Sequence, residues 1–95
     1  IEEPGKEFRV SVHPNPFSDY VELDLCAPDP GRISVKIYDA RCRLVFQNDI
    51  SSSKSKIHSL KWNGKNLSGT KVEPGVYFIR LTWRDFSRTA KVIRN

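Results

Sequence analysis

The chain has 95 residues, 38% of them hydrophobic and 11% aromatic, and carries a net charge of +5. That length makes one domain, with a small core in which large rings must supply much of the burial. No apolar run approaches the ~20 residues of a membrane-crossing helix, and no stretch has the layout of a signal sequence.

The opening IEEPGKEF lacks a methionine, contains Pro4-Gly5 and has no periodicity. It reads as the end of a linker (residues 1–7), which makes residues 8–95 a domain cut from a longer protein. Phe8, Val10 and Val12 then alternate with Arg9, Ser11 and His13, the signature of a half-buried strand. Pro14-Asn15-Pro16 ends it, because two prolines remove donors and favour extended or turn geometry. Val21, Leu23 and Leu25, alternating with Glu22 and Asp24, form a second strand, closed by the proline-rich turn 27–31. Ile33, Val35 and Ile37 give the third strand its inner face, with Ser34, Lys36 and Tyr38 outside. A tight turn at Asp39–Arg43 returns the chain as a short strand over Leu44–Gln47. The polar, serine-rich stretch Asn48–Lys56 reads as a flexible loop. Leu60 and Trp62 close a fifth strand.

Asn63-Gly64 and Pro74-Gly75 then bracket a polar loop, since glycine accepts positive φ and proline presets its own. From Gly75 to Trp83 runs the cleanest strand, with Tyr77, Ile79, Leu81 and Trp83 on one face. Arg84-Asp85 is a hairpin turn, and Phe86–Arg94 is the last strand, with Ala90 and Val92 inward. No helical stripe persists anywhere. About seven short strands with turns between them predict an all-β fold, an immunoglobulin-like sandwich of antiparallel strands. A small barrel such as an OB-fold is the competing architecture.

Little in this pattern points to a reaction. Neither His13 nor His58 has a second ligand at metal-binding spacing. The serines at 51–55 lack the elbow that holds a nucleophile against its base. Glu22 and Asp24 alternate with buried Val21 and Leu23, so they point to solvent, where a carboxyl gains no raised pKa for acid catalysis. Asp39 and Asp49 remain open as calcium ligands, although no loop resembles a known cage. No cofactor is expected. Cys26 ends one strand and Cys42 follows the next, at opposite ends of a sheet and on the order of 20 Å apart at ~3.3 Å per residue. A disulfide needs Cα atoms within ~7 Å, so none is expected.

Charge is uneven. Residues 1–50 hold 6 Lys/Arg and 9 Asp/Glu, for −3, whereas residues 51–95 hold 10 and 2, for +8. Arg80, Arg84, Arg88, Lys91 and Arg94 gather on the last two strands with Tyr77, Phe78, Trp83 and Phe86 between them. Basic residues interleaved with aromatics suit single-stranded nucleic acid. Most of these rings are expected in the core, however, and no nucleic-acid motif accompanies them. A solvated face is the plainer reading, and nucleic acid is not expected as a partner.

Three stretches carry a family resemblance. WNGKNLSGTKVEPGVYFIRL, Trp62–Leu81, resembles the Trp-Asp-Gly…Gly…Gly-x-Tyr signature of the Ig-like domain of flagellar hook-capping proteins. HPNPFSDYVELDL, His13–Leu25, resembles the Pro-Asn-Pro opening of the C-terminal sorting domain of the type IX secretion system. VKIYDARCRLV, Val35–Val45, resembles that family's strand–turn–strand, and AKVIRN its basic-apolar last strand. Cys42 stands where that turn normally has glycine, and a thiol there is reactive if exposed.

The resemblance implies a non-catalytic delivery module at the C-terminus of a cargo protein. Such a module passes through the periplasm and is read by the outer-membrane translocon. It is then removed by a surface sortase as the cargo is attached to the cell surface, or retained in a surface component. The matching positions are Pro14, Asn15, Pro16, Gly75, Tyr77, Lys91, Val92, Ile93 and Arg94. The exposed last strand is the part a receptor is expected to read, by strand addition. The hook-capping likeness supports an alternative, a structural accessory domain that docks a larger extracytoplasmic protein.

Overall fold

A computed structural model describes residues 8–52 and 57–95. The expected linker, residues 1–7, lies outside the described residues. The strands are β1 (Arg9–His13), β2 (Val21–Cys26), β3 (Gly31–Asp39), β4 (Leu44–Ser52), β5 (Ile57–Trp62), β6 (Gly75–Trp83) and β7 (Phe86–Arg94). They form two antiparallel sheets, β1-β2-β5 and β4-β3-β6-β7. This is the expected sandwich and not a closed barrel.

The inner faces follow the period-two pattern, because alternate side chains of a strand point to opposite faces. Val21, Leu23 and Leu25 on β2 meet Ile33, Val35 and Ile37 on β3 and Tyr77, Ile79, Leu81 and Trp83 on β6, all buried. Val92 adds β7 to this core, and Ala90 packs against it. Burying one large apolar side chain contributes about 1.5–3 kcal/mol. The alternation therefore fixes the register strongly, since a one-residue slip would turn a whole row to water.

β4 departs from expectation. It is nine residues long and includes Asn48–Ser52, which composition places in a loop. Residues 48–52 run opposite Val35 to Gly31, and the half-buried Ile50 packs on the core. The backbone groups of the well-specified β3 need partners, and pairing overrides the weak strand preference of Asn, Asp and Ser. Ser52 is buried, and its hydroxyl donates to the Gly31 carbonyl at 2.9 Å. The rest of the expected loop, residues 53–56, lies outside the described residues.

The β3–β4 turn shows how the chain manages without its glycine. Cys42 adopts φ 65°, the left-handed conformation that glycine accepts freely. Asp39 holds the turn. Its Oδ1 accepts from the Arg43 and Arg41 backbone N–H groups, each at 2.9 Å, and its Oδ2 accepts from Arg43 Nε at 2.8 Å. The Arg43 amide bond, followed by the Arg43 guanidinium and the Arg41 amide, lowers the Asp39 pKa despite its desolvation. A left-handed non-glycine residue costs about 1–2 kcal/mol, partly offset by glycine's greater freedom when unfolded. Cys42→Gly is therefore expected to raise the melting temperature by a few degrees, roughly 2–5 °C for a domain of this size. A thermal melt showing no gain would mean that the turn is relaxed with cysteine in place.

Candidate functional site

Pro14-Asn15-Pro16 does more than end β1. The two prolines frame Asn15, whose amide faces the outer edge of β7. Asn15 Nδ2 donates to the Lys91 carbonyl and Oδ1 accepts from the Ile93 N–H, both at 2.9 Å. Phe17 continues the join. Its N–H donates to the Ile93 carbonyl at 2.9 Å, and its carbonyl accepts from the Asn95 N–H at 2.8 Å, a short parallel bridge. The Phe17 ring is buried against Trp62, with centroids 5.7 Å apart. An early motif and the last strand, more than seventy residues apart, thus make one unit. This corrects the expectation of an open terminal edge. The Lys91 carbonyl, both backbone groups of Ile93 and the Asn95 N–H, which face away from β6, already have partners, so a receptor strand could pair along that stretch only by displacing them. Along β7, the outer edge at Ser87–Thr89 pairs with no described strand.

Beneath this join lies the Trp62 cluster. The Trp62 ring meets Phe17, Phe46 and Tyr77, with centroids 5.7, 6.4 and 5.5 Å away. Its Nε1 donates to the Lys65 carbonyl at 2.9 Å, tying the 63–74 loop to the core. Within that loop Asn66 Oδ1 accepts from the Ser68 and Thr70 N–H groups at 2.9 and 3.0 Å. The Tyr77 hydroxyl donates to the Glu73 carbonyl at the loop's far end. Burial is the main reason the Tyr77 pKa is raised. Arg94 slides under the Asn63-Gly64 turn. A Cβ at Gly64 would sit 3.1 Å from Arg94 Nε and 3.7 Å from the Phe17 ring, and φ there is +72°, so both space and conformation favour glycine. Gly75 opens β6 at φ +149°, a conformation other residues rarely adopt.

The nine positions marked by resemblance therefore divide. Tyr77 and Val92 are buried and Arg94 half-buried, so they hold the structure. Pro14, Asn15, Pro16, Lys91 and Ile93 lie exposed within one patch, with Gly75 opposite Arg94. Sequence reasoning missed Phe17 in this unit, although an aromatic directly after Pro-Asn-Pro was the available signal.

A second cluster was also missed. Antiparallel register sets His13 opposite Glu22, beside Asp24. His13 Nε2 lies 2.8 Å from Asp24 Oδ2 and 3.6 Å from Glu22 Oε2. Ser59 of β5 donates to Asp24 Oδ1 at 2.6 Å. Glu22 and Asp24 are thus half-exposed and Asp24 is engaged, not simply solvated. The hydrogen bond to Asp24 raises the His13 pKa above its ordinary value, and that same bond, with the one from Ser59, lowers that of Asp24. The three donor atoms fall within 4.8 Å of one another, the group among the described residues able to hold a metal ion. It sits on the outer face of the three-stranded sheet, with Asp24 hydrogen-bonded to both His13 and Ser59. Cys26 and Cys42 are free thiols, the second exposed. Of the four rings flanked by basic residues, Tyr77 and Trp83 are buried, whereas Phe78 and Phe86 are exposed. Fewer of these rings belong to the core than composition suggests.

These features define an immunoglobulin-type β-sandwich whose distinguishing device is the lock between an early Pro-Asn-Pro segment and the final strand. The chain belongs to the family described as secretion system C-terminal sorting domain, whose profile matches residues 11–95. It is similar in fold to the latent dimeric PorU of Porphyromonas gingivalis, with TM-score 0.76 and 22% identity, covering 90% of this chain and 9% of that one. It is also similar to PorZ, an essential surface component of the type IX secretion system of the same bacterium, with TM-score 0.65 and 28% identity over 90% of this chain and 11% of that one. The hook-capping protein FlgD of Xanthomonas campestris shares the fold, with TM-score 0.63 and 22% identity over 83% of this chain and 58% of that one. The chain spans about a tenth of the PorU and PorZ chains it matches. No relative among curated proteins matches it.

Proposed function

We propose that this domain is a non-catalytic sorting signal, read by the outer-membrane translocon of a type IX secretion system and directing its parent protein to the cell surface. The observation that carries the reading is the family match over residues 11–95. The similarity to PorZ supplies the type IX context. In this reading Asn15 and Phe17 hold β7 in place, and the exposed Lys91 and Ile93, with Pro14 and Pro16 beside them, present the address. Tyr77, Val92, Arg94 and Gly75 keep that end of the sandwich folded. The surface sortase and attachment components are the partners that act after export.

The test is a fusion of residues 1–95 to a periplasmic reporter in a host carrying the secretion system, compared with the same fusion lacking Lys91–Asn95. Export to the surface is expected to be lost on deletion. Because Val92 belongs to the core, a paired Lys91→Ala/Ile93→Ala variant, which spares buried groups, separates reading from folding and is also expected to be exported poorly. Undiminished export of the truncated fusion would refute the proposal and favour a structural accessory role in a larger protein.

A further inference from the structure

The outer face of the four-stranded sheet carries a feature that its own stability does not explain. Outward positions alternate with the buried ones, so Lys36 and Tyr38 on β3 share a face with Val76, Phe78 and Arg80 on β6 and with Lys91 and Ile93 on β7. Register aligns Leu44, Tyr38, Phe78 and Lys91 as one row across all four strands. Val76 stands opposite Ile93 at one side of that row. Leu44, Phe78 and Ile93 are 38%, 36% and 37% exposed, so an apolar band crosses the solvent-facing side of the sheet.

On the other side of the row Lys36 lies directly opposite Arg80. Like charges placed directly across a strand pair destabilise a sheet. Among the described residues neither of these two, nor Lys91, joins an ion pair, and Asp49, the acid on this face, lies opposite Ser34 and pairs with Arg32. An apolar centre edged by uncompensated cations matches the anatomy of a protein-binding surface, in which aromatic and arginine side chains dominate affinity. Complementary charge would relieve the Lys36–Arg80 repulsion only when a partner arrives.

We infer that this face is a docking surface for a protein partner that presents carboxylates around an apolar contact, with Tyr38 and Phe78 as the central anchors and Lys36, Arg80 and Lys91 as the charge readers. The inference rests on the sorting reading and extends it from the terminal segment to the whole sheet face. The partner meets side chains standing off the sheet, which fits the occupied backbone edge at Lys91–Asn95.

The test uses the same exported fusion of residues 1–95. The double variant Lys36→Glu/Arg80→Glu is expected to reduce surface export at least tenfold with an unchanged melting temperature. Lys36→Arg/Arg80→Lys, which keeps both charges, is expected to export normally, as is Arg9→Glu on the opposite sheet. A benzophenone amino acid in place of Phe78 should form a cross-link to protein that disappears in the charge-reversed background. Full export of Lys36→Glu/Arg80→Glu overturns the inference and leaves the sorting reading intact. Failure of the unaltered fusion to be exported removes the sorting reading, and this inference with it. A cross-link to lipopolysaccharide in place of protein overturns the protein partner.

Discussion

Trp62→Ala is expected to lower the melting temperature by roughly 15–30 °C, the largest loss for any single side chain of this domain. Truncating a buried tryptophan costs about 3–5 kcal/mol in lost burial and cavity formation, and each kcal/mol shifts a domain of this size by about 4–8 °C. Trp62 merits the upper part of that range because it serves three elements. Its ring packs on Phe17, Phe46 and Tyr77, which come from the Pro-Asn-Pro segment, β4 and β6. Its Nε1–H anchors the loop through Lys65. Loss of the ring leaves Phe17 without the surface that seats it, so the effect should spread to the terminal join. Trp62→Phe, which keeps an aromatic surface but not the donor, should fall about midway. A Trp62→Ala melt within a few degrees of the parent would show that the cluster is not what holds the sheets together at that end.

Asn15→Ala carries the second large effect. It removes both side-chain bonds to β7, each worth about 0.5–1.5 kcal/mol net, for a drop of roughly 5–15 °C. Hydrogen exchange gives a sharper reading, because the Ile93 N–H loses its acceptor. Its exchange should accelerate by on the order of tenfold to a hundredfold, following the factor of ten per ~1.4 kcal/mol. Asn15→Asp separates the two bonds. It keeps an acceptor for Ile93 but turns a carboxylate toward the Lys91 carbonyl, so at neutral pH it should be no more stable than Asn15→Ala. Acidification that protonates the new carboxyl restores a donor and should recover part of the loss. Ile93 exchange unchanged in Asn15→Ala would mean that Phe17 alone closes the edge.

The two effects converge on one end of the sandwich, and that has a functional consequence. The exposed side chains of Lys91 and Ile93 are presented on a strand fixed from both sides, by β6 on one and by Asn15 and Phe17 on the other. In the proposed reading, a recognition element held this way loses little conformational freedom on binding, which favours affinity. In that reading, destabilising substitutions at Trp62 or Asn15 would also impair sorting without touching the groups proposed to meet a receptor. Export assays of such variants need a folding measurement beside them.

Most of the framework was legible because burial and period coincide. Val21, Leu23 and Leu25, or Tyr77, Ile79, Leu81 and Trp83, announce their strand and their inner face at once, and β6 and β7 appear with their expected bounds. β4 runs longer than composition suggests because it is an edge strand whose second half is polar. Asn48, Asp49 and the serines satisfy the backbone of β3 while their side chains contribute little burial, so composition gave no sign of pairing. The motif positions were legible as a set through resemblance, but their roles were not. Nothing local distinguishes Asn15, whose amide bridges to β7, from a residue that merely sits between two prolines. His13, Glu22 and Asp24 likewise look like unrelated surface residues until the β1–β2 register is known.

The sequence by itself determined an all-β domain, the inner face of each long strand and the family to which its motifs belong. These follow from alternation and turn chemistry, which act between near neighbours. Tertiary structure alone decided that Pro-Asn-Pro closes the edge of the last strand, and that Lys36 and Arg80 stand side by side beneath an apolar row. Those relations depend on which strands pair and in what register, and backbone hydrogen bonds between distant segments leave no periodic trace in the chain that makes them.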